Sequence, residues 1–521
     1  MEKTKRKKNF LNRTLDRVEI AGNKLPHPVT LFFYLAIFVL LLSFIGASVE
    51  WSASGEILNR VTNEVEMQKI TVNNLLSKEG LVYILTSMLS NFTGFAPLGV
   101  VLVVTFGIGM AEGSGFISAA VKKTVSVTPK RLIVPVVVFL GIMSNVASVV
   151  GYVVLVPLGA IIFMSYNKHP LAGMAAAFAG ASGGFSANLL IGAIDPLLSG
   201  ISTEGARILD PSYVVDPTGN WFFMMASTVV ITIVGTIITE KIVEPRLGIY
   251  DKSKAQVTQS EMELGNMSQI ENKALKVSSI VLFAMLIGLF LLCIPKTSFL
   301  RNIQTGSLVS GSALMKGIIP IITIMFFVPS VIYGKITGVY KSEKDIAAQM
   351  GKSMSTMGGY IALAFVASQF ISYFEKTNIG IIIALKGAKF LGSIGIWPPL
   401  LMVIFVILAS LLNLFMGSAS AKWVIMAPVF IPMFMGLNIS PEMTQAAFRI
   451  GDSSTNIITP LMDYFPLILA FAKKYDEDTG IGTMISTMLP YSVGFLIFWA
   501  VLLVIWMVLG LPLGPGVGVY M

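Results

Sequence analysis

Gly180-Ala-Ser-Gly-Gly-Phe-Ser-Ala-Asn188, followed by Asp195, has a counterpart in Gly451-Asp-Ser-Ser-Thr-Asn456, followed by Asp463. In both, asparagine and aspartate stand seven residues apart. The match extends upstream, where Tyr152-Val-Val-Leu-Val-Pro157 pairs with Trp423-Val-Ile-Met-Ala-Pro428 and Pro170 with Pro441. Tyr152 to Trp423, Pro157 to Pro428, Pro170 to Pro441 and Ser182 to Ser453 share a shift of 271, which slips by three before the asparagine. Both stretches are embedded in apolar chain, yet glycine, serine and asparagine make poor helix interiors. Non-helical backbone persists at membrane depth only where protein or a water-filled cavity satisfies its amides and carbonyls. The expectation is therefore two broken helices, 171–198 and 444–472, whose hydroxyls and carboxamides offer oxygen ligands. Close helix packing through small residues is the competing reading.

Each motif follows an apolar run of unusual length, 132–164 in one case and 398–435 in the other. Such runs are too long for one span of about 20 residues and too short for two with a loop. Small polar residues interrupt both centres: Ser144, Asn145 and Ser148, then Gly417, Ser418 and Ser420. They read as re-entrant hairpins. Outward from these, runs at 28–49, 81–110, 171–198, 221–238, 277–294, 314–333, 353–374, 444–472 and 484–509 complete nine expected spans. The fold class is an all-α polytopic membrane protein with nine transmembrane helices and two hairpins.

Charge orients it. With the N-terminus inside, the cytoplasmic segments collect 25 of the 37 Lys and Arg residues, as the excess of basic residues on cytoplasmic loops requires. The uncharged C-terminus then lies outside, and the two hairpins enter from opposite faces. That makes the duplication an inverted repeat, the arrangement many carriers use for alternating access. A basic arm (1–27), a first membrane half (28–250), a polar linker (251–276) and a second half (277–521) follow. The first apolar run is too long for a signal-peptide core, so it is expected to be a retained helix.

Composition agrees: 55% of residues are hydrophobic and 12% charged, with a mean hydropathy of +0.79. The net charge of +9 belongs to loops beside apolar segments, so orientation explains it better than a nucleic-acid partner. The single cysteine, Cys293, permits neither an intrachain disulfide nor a cysteine metal cluster. No HExxH, P-loop or dinucleotide fingerprint is present. Gly180-Ala-Ser-Gly-Gly184 fits G-x-S-x-G formally, but no strand precedes it and no histidine partners it. An intramembrane hydrolase is the reading from another class; a carrier driven by an ion gradient is the leading one, with no cofactor and either sodium or proton as coupling ion.

Ionisable residues inside spans each cost at least about 2.5 to 3.5 kcal/mol on insertion scales, which marks them as candidate site residues. Asp195, Lys422, Arg449, Asp452 and Asp463 qualify. Arg449 and Asp452 stand three apart on one expected helix and read either as a pair neutralising each other or as substrate and ion ligands. Lys422 beside Trp423 offers a positive charge next to a stacking face. Asn145, Ser182, Asn188, Ser418, Ser453 and Asn456 are the oxygen-bearing candidates for the ion.

Met143-Ser-Asn-Val-Ala-Ser148, the 180–196 stretch and above all Gly417-Ser-Ala-Ser-Ala-Lys-Trp423 through Phe448-Arg-Ile-Gly-Asp-Ser-Ser-Thr-Asn-Ile-Ile-Thr-Pro460 resemble the p-aminobenzoyl-glutamate transporter (AbgT) family. The resemblance implies a dimeric inner-membrane ion transporter that carries p-aminobenzoyl-glutamate, an aromatic carboxylate, and in some members exports sulfonamide antimetabolites. It also implies functional roles for Asp195, Ser420, Trp423, Pro441, Arg449, Asp452 and Pro460. Carriers of other small anions, such as di- or tricarboxylates or short peptides, share comparable hairpin architectures and remain the alternative within transport.

Overall fold

The computed structural model describes residues 28–58, 65–146, 151–251, 267–308, 312–355, 357–459, 461–462 and 464–521. The basic arm, most of the linker, Ser148, Pro460 and Asp463 lie outside the described residues. By length and composition, six described helices can cross a membrane: 29–48, 78–113, 221–247, 269–293, 318–337 and 481–508. A seventh crossing is a pair bent by 43°. The remaining two of the nine expected runs, 171–198 and 444–472, are the broken helices, none of whose pieces spans alone.

The chain begins with α1 (Pro28–Ser48), which leads into an antiparallel ribbon of β1 (Ser52–Leu58) and β2 (Val65–Thr71), registered Ser52 to Thr71 through Leu58 to Val65. This ribbon is an addition to the all-helical expectation. It is fastened by Asn378, whose Nδ2 donates to Thr71 O at 3.0 Å. Then come α2 (Lys78–Thr93), α3 (Ala96–Gly113) and α4 (Phe116–Ser126). The first hairpin has arms α5 (Ile133–Ser144) and α6 (Val156–Ser165), the latter entered through a π turn at Gly151–Leu155. Residues 147–150 of its tip are not described.

Pro170 opens α7 (Pro170–Phe178), which loosens into a π turn at Ala179–Gly183 and then irregular chain before α8 (Ile194–Ala206). The remaining elements of this half and the next are α9 (Trp221–Ile238), α10 (Gln269–Cys293), α11 (Ile318–Thr337), the bent pair α12 (Glu343–Ser355) and α13 (Gly358–Lys376), and α14 (Ile379–Ile394). The second hairpin pairs α15 (Pro398–Asn413) with α16 (Ala419–Met435); α17 (Pro441–Asn456), α18 (Phe465–Lys473) and α19 (Ile481–Val508) follow.

The two hairpins and the two broken helices form the core. Hairpin arm α5 packs on the π turn after α7, and α15 packs on α17. Glycine makes both approaches possible. A Cβ at Gly180 would strike Val138 O and Gly141 Cα, and one at Gly451 would strike Val406 O and Ser410 N. Tyr491, Phe495 and Trp499 present one face of α19 to this core, fully buried at four-residue spacing, and Trp499 Nε1 donates to Ser227 Oγ on α9 at 2.7 Å.

The second motif corrects the expectation of unwinding at 451–456. Here α17 stays helical to Asn456, because Ser454 Oγ and Thr455 Oγ1 donate back to Ile450 O and Gly451 O at 2.5 and 2.8 Å. Such bonds occupy hydroxyls that would otherwise compete with the backbone. The break is displaced downstream, to the chain between α17 and α18.

Candidate functional site

Two ion pairs sit where the broken helices and the second hairpin meet. Arg449 Nη1 lies 2.7 Å from Asp195 Oδ1. Arg449 Nη2 donates to Ser186 O at 2.9 Å, and Asp195 Oδ2 accepts from Gly192 N at 2.7 Å. Arg449 thus closes across the irregular chain of the first half. Ser453 Oγ helps, accepting from Ser186 N at 3.1 Å.

The second pair joins Lys422 Nζ to Asp452 Oδ1 at 2.5 Å, each side chain 1% exposed. Lys422 also donates to Asn413 Oδ1. The carboxamide of Asn413, through Nδ2, reaches Asp452 O at 2.7 Å and Thr455 Oγ1 and Asn456 Oδ1 at 2.9 Å each. Of the two readings of Arg449 and Asp452, mutual neutralisation does not hold: neighbours on one helix, they turn to different partners. Three residues along a helix advance the side chain by about 300°, which is enough to present Arg449 to α8 and Asp452 to the hairpin.

Trp423 is 0% exposed. Its Nε1 donates to Ser202 Oγ at 2.9 Å, its ring stacks on Phe448 at 4.5 Å and 25°, and Ser202 Oγ donates on to Gln445 Oε1 at 2.7 Å. In this conformation the indole is core packing rather than an open face for a ring. Pro441 opens α17 at its first turn, where Ser440 Oγ caps Met443 N. Eight residues separate it from Arg449, about 12 Å along the helix, so Pro441 positions the helix. Asn188 is buried and turns its Oδ1 to Leu190 N. Ser182 Oγ faces Met462 Sδ.

A cavity of about 830 Å³ lies against these groups. Of the sequence candidates, Asn145, Ser418, Ser420 and Asn456 line it, whereas Ser182, Asn188, Asp195, Lys422, Trp423, Arg449, Asp452 and Ser453 do not. Tyr152 and Tyr464 contribute a stacked pair with ring centroids 4.4 Å apart and 9° between planes. The first turn of α16, capped by Ser418 Oγ on Ala421 N, forms another part of the wall. The far side brings Glu112 from α3 and Gln349, Lys352 and Tyr360 from α12 and α13, none of which was anticipated. Asn145 Oδ1 and Tyr360 Oη are buried without a hydrogen-bond partner among the described residues.

Asn413 is the principal omission. Its signal was present: Asn145 to Asn413, Asn188 to Asn456 and Asp195 to Asp463 all share a shift of 268. No group of three or more metal-ligating side chains occurs among the described residues.

The profile of the AbgT putative transporter family matches residues 13–521. The p-aminobenzoyl-glutamate transport protein of Escherichia coli (strain K12) is 38% identical over 500 residues, 96% of each chain. Among solved structures, the Alcanivorax borkumensis YdaH transporter, with its unusual topology, superposes with a TM-score of 0.87 at 43% identity, covering 94% of this chain and 100% of that one. Neisseria gonorrhoeae MtrF, described within a class of antimetabolite efflux pumps, gives 0.91 at 47% identity, covering 97% and 100%.

Proposed function

The chain belongs to the AbgT putative transporter family, and from that premise we propose that it is an ion-coupled secondary carrier of p-aminobenzoyl-glutamate or a related aromatic carboxylate. It is a multi-pass membrane transporter and not an enzyme. The substrate reading draws on the E. coli relative, and the cavity is the observation that carries it. An aromatic ring fits along the stacked Tyr152 and Tyr464, since offset stacking suits a conjugated ring. Carboxylates meet the Lys352 ammonium and the positive N-terminal end of α16. Asn145 Oδ1 and Glu112 offer acceptors to an amide or aniline N–H.

Alternating access follows from the inverted repeat. Support comes from the duplicated close contact, Gly180 against α5 and Gly451 against α15, which repeats the same packing in each half. The basic residues place the N-terminus in the cytoplasm and the C-terminus outside an inner membrane, with two copies assembling as a dimer in lipid. Export of antimetabolites is a second reading, favoured by the 47% identity to MtrF.

Uptake of labelled p-aminobenzoyl-glutamate into proteoliposomes, with sodium and proton gradients imposed separately, tests the proposal. Saturable accumulation driven by one gradient is expected. Uptake under either gradient no greater than in protein-free liposomes would overturn it.

A further inference from the structure

We propose that Lys422 carries the coupling proton: its ammonium is a tethered cation occupying the cation position at the tip of the second hairpin, and losing and regaining its proton is the ion half of the transport cycle. This rests on reading the chain as an ion-coupled carrier. It goes further in naming the ion and the residue that holds it.

The position is built for a cation. Asp452 supplies a carboxylate at 2.5 Å and Asn413 a carboxamide oxygen. Two helices, α15 and α17, end at Asn413 and Asn456, so their negative C-terminal ends converge on the ammonium. A free metal cation in such a place would be ordinary; here the chain's own side chain fills it.

The first half shows the position without that side chain. The shift of 271 takes Lys422 to Gly151 and Asp452 to Ala181, and the shift of 268 takes Asn413 to Asn145. A Cβ at Gly151 would meet Ala181 Cβ, so Gly151 and Ala181 are neighbours as Lys422 and Asp452 are. Asn145 Oδ1, equivalent to the oxygen that receives Lys422, has no partner among the described residues. One scaffold, used twice, carries a titratable cation in only one copy.

Lysine rather than arginine is the informative choice. Guanidinium stays charged at any accessible pH, whereas an ammonium can release its proton when its surroundings change. The Arg449–Asp195 pair therefore has fixed charge and the Lys422–Asp452 pair does not. The charged groups on the elements packed against α16 leave Lys422 this freedom. On α17 Asp452 is its partner, Arg449 is engaged by Asp195 of α8, and Glu442, in the first turn at the opposite end of the helix, accepts from Tyr213 Oη at 3.0 Å; Glu204 of α8 pairs with Arg207; Lys386 and Lys389 of α14 are exposed; and α15 contributes the neutral Asn413.

A route for the proton is at hand. Asn456 lines the cavity and accepts from Asn413 Nδ2, and Ser420 of the cavity wall lies two residues from Lys422. Protonated, the position is electrically closed and can move past lipid. With the proton passed to cavity water, the buried Asp452 carboxylate is left unmatched, and a half-pair of that kind is strongly disfavoured. Only the loaded form changes access, which is what obliges proton and substrate movement to be linked.

The test uses the full chain reconstituted on a solid-supported membrane and subjected to pH jumps without substrate or sodium. Wild type is expected to give a transient charge displacement, and Lys422→Met to lose it. Lys422→Arg keeps the ion pair, and with it the fold, but should lose the transient as completely, which a merely structural role for Lys422 does not predict. A transient of wild-type size in Lys422→Arg overturns the proposal, as does wild type showing a transient only on sodium jumps. Because no substrate is added, a failure to carry p-aminobenzoyl-glutamate in the separate uptake assay counts against the substrate reading alone.

Discussion

At the tip of the first hairpin, Asn145 Nδ2 donates to the backbone carbonyls of Ile142 and Gly184; at the tip of the second, Asn413 closes on a lysine and an aspartate. The backbones are packed alike, each through a glycine of the following helix against the entering arm. What differs is charge. Duplication gives the two halves a common mechanical frame, while divergence at two positions puts a buried ion pair in one half and leaves, on the cavity wall of the other, a carboxamide oxygen without a partner among the described residues. Symmetric packing suits a motion that exchanges the roles of the halves, and the asymmetric chemistry is what the proposed proton position in the second half rests on.

The comparison breaks most severely if the first half is forced to imitate the second. Gly151→Lys with Ala181→Asp would place two charges where Gly151 already abuts Ser144 Oγ and Ala181 Cβ. Overpacking typically costs about 1–3 kcal/mol before any desolvation. Loss of the monodisperse peak in fluorescence-detected size-exclusion chromatography is expected; a normal peak would mean that the first position has room the packing denies.

Next in size is Asp452→Asn, which leaves the Lys422 ammonium buried and unmatched at a cost of about 3–5 kcal/mol. Adding Lys422→Met should restore most of that stability in thermal unfolding in detergent, while gradient-driven transport stays lost. Recovery of transport along with stability would return the pair to a purely structural role. A smaller difference separates the two asparagines. Asn413→Ala removes the hub that reaches Asp452, Thr455 and Asn456, and orphaned buried polar groups cost about 1–3 kcal/mol. Asn145→Ala, whose Oδ1 has no partner among the described residues, should cost less in melting temperature and show itself in substrate affinity instead. Equal destabilisation by both would erase the contrast. Ser202→Ala removes the acceptor of Trp423 Nε1 and the donor to Gln445 Oε1, at a cost toward the low end of the same range of about 1–3 kcal/mol because no charge is orphaned, and is read as a modest fall in melting temperature.

How much of this the sequence disclosed depends on range. Both hairpins and both broken helices were legible, because apolar run length and the repeated Pro170/Pro441 and Asn188/Asn456 spacings are local signals. The ribbon at 52–71 was not, since flanking spans draw attention to hydropathy and away from alternation. Nor was α14, whose Lys386, Gly387 and Lys389 dilute its apolar run. The ion pairs were not legible for a physical reason: Arg449 and Asp452 are close in sequence and invite a local pairing, whereas Lys422 meets Asp452 across 30 residues and Asp195 meets Arg449 across 254. Pairings at that range are set by helix packing, which no local pattern records. Glu112, Lys352 and Tyr360 escaped because they belong to elements outside the repeat, and only the cavity gathers them.

The central claim is that the cavity between the hairpin tips receives the aromatic carboxylate. Ser420 lines it, and the only native cysteine is Cys293 on α10, so Ser420→Cys in a Cys293→Ser background gives one reporter on the wall. Maleimide labelling of that cysteine, followed by equilibrium binding of p-aminobenzoyl-glutamate to purified protein, is the direct measurement. The account predicts that bound substrate slows labelling and that labelled protein binds at least about tenfold more weakly, roughly 1.4 kcal/mol. Labelling that proceeds equally with and without substrate, and leaves affinity unchanged, would contradict it.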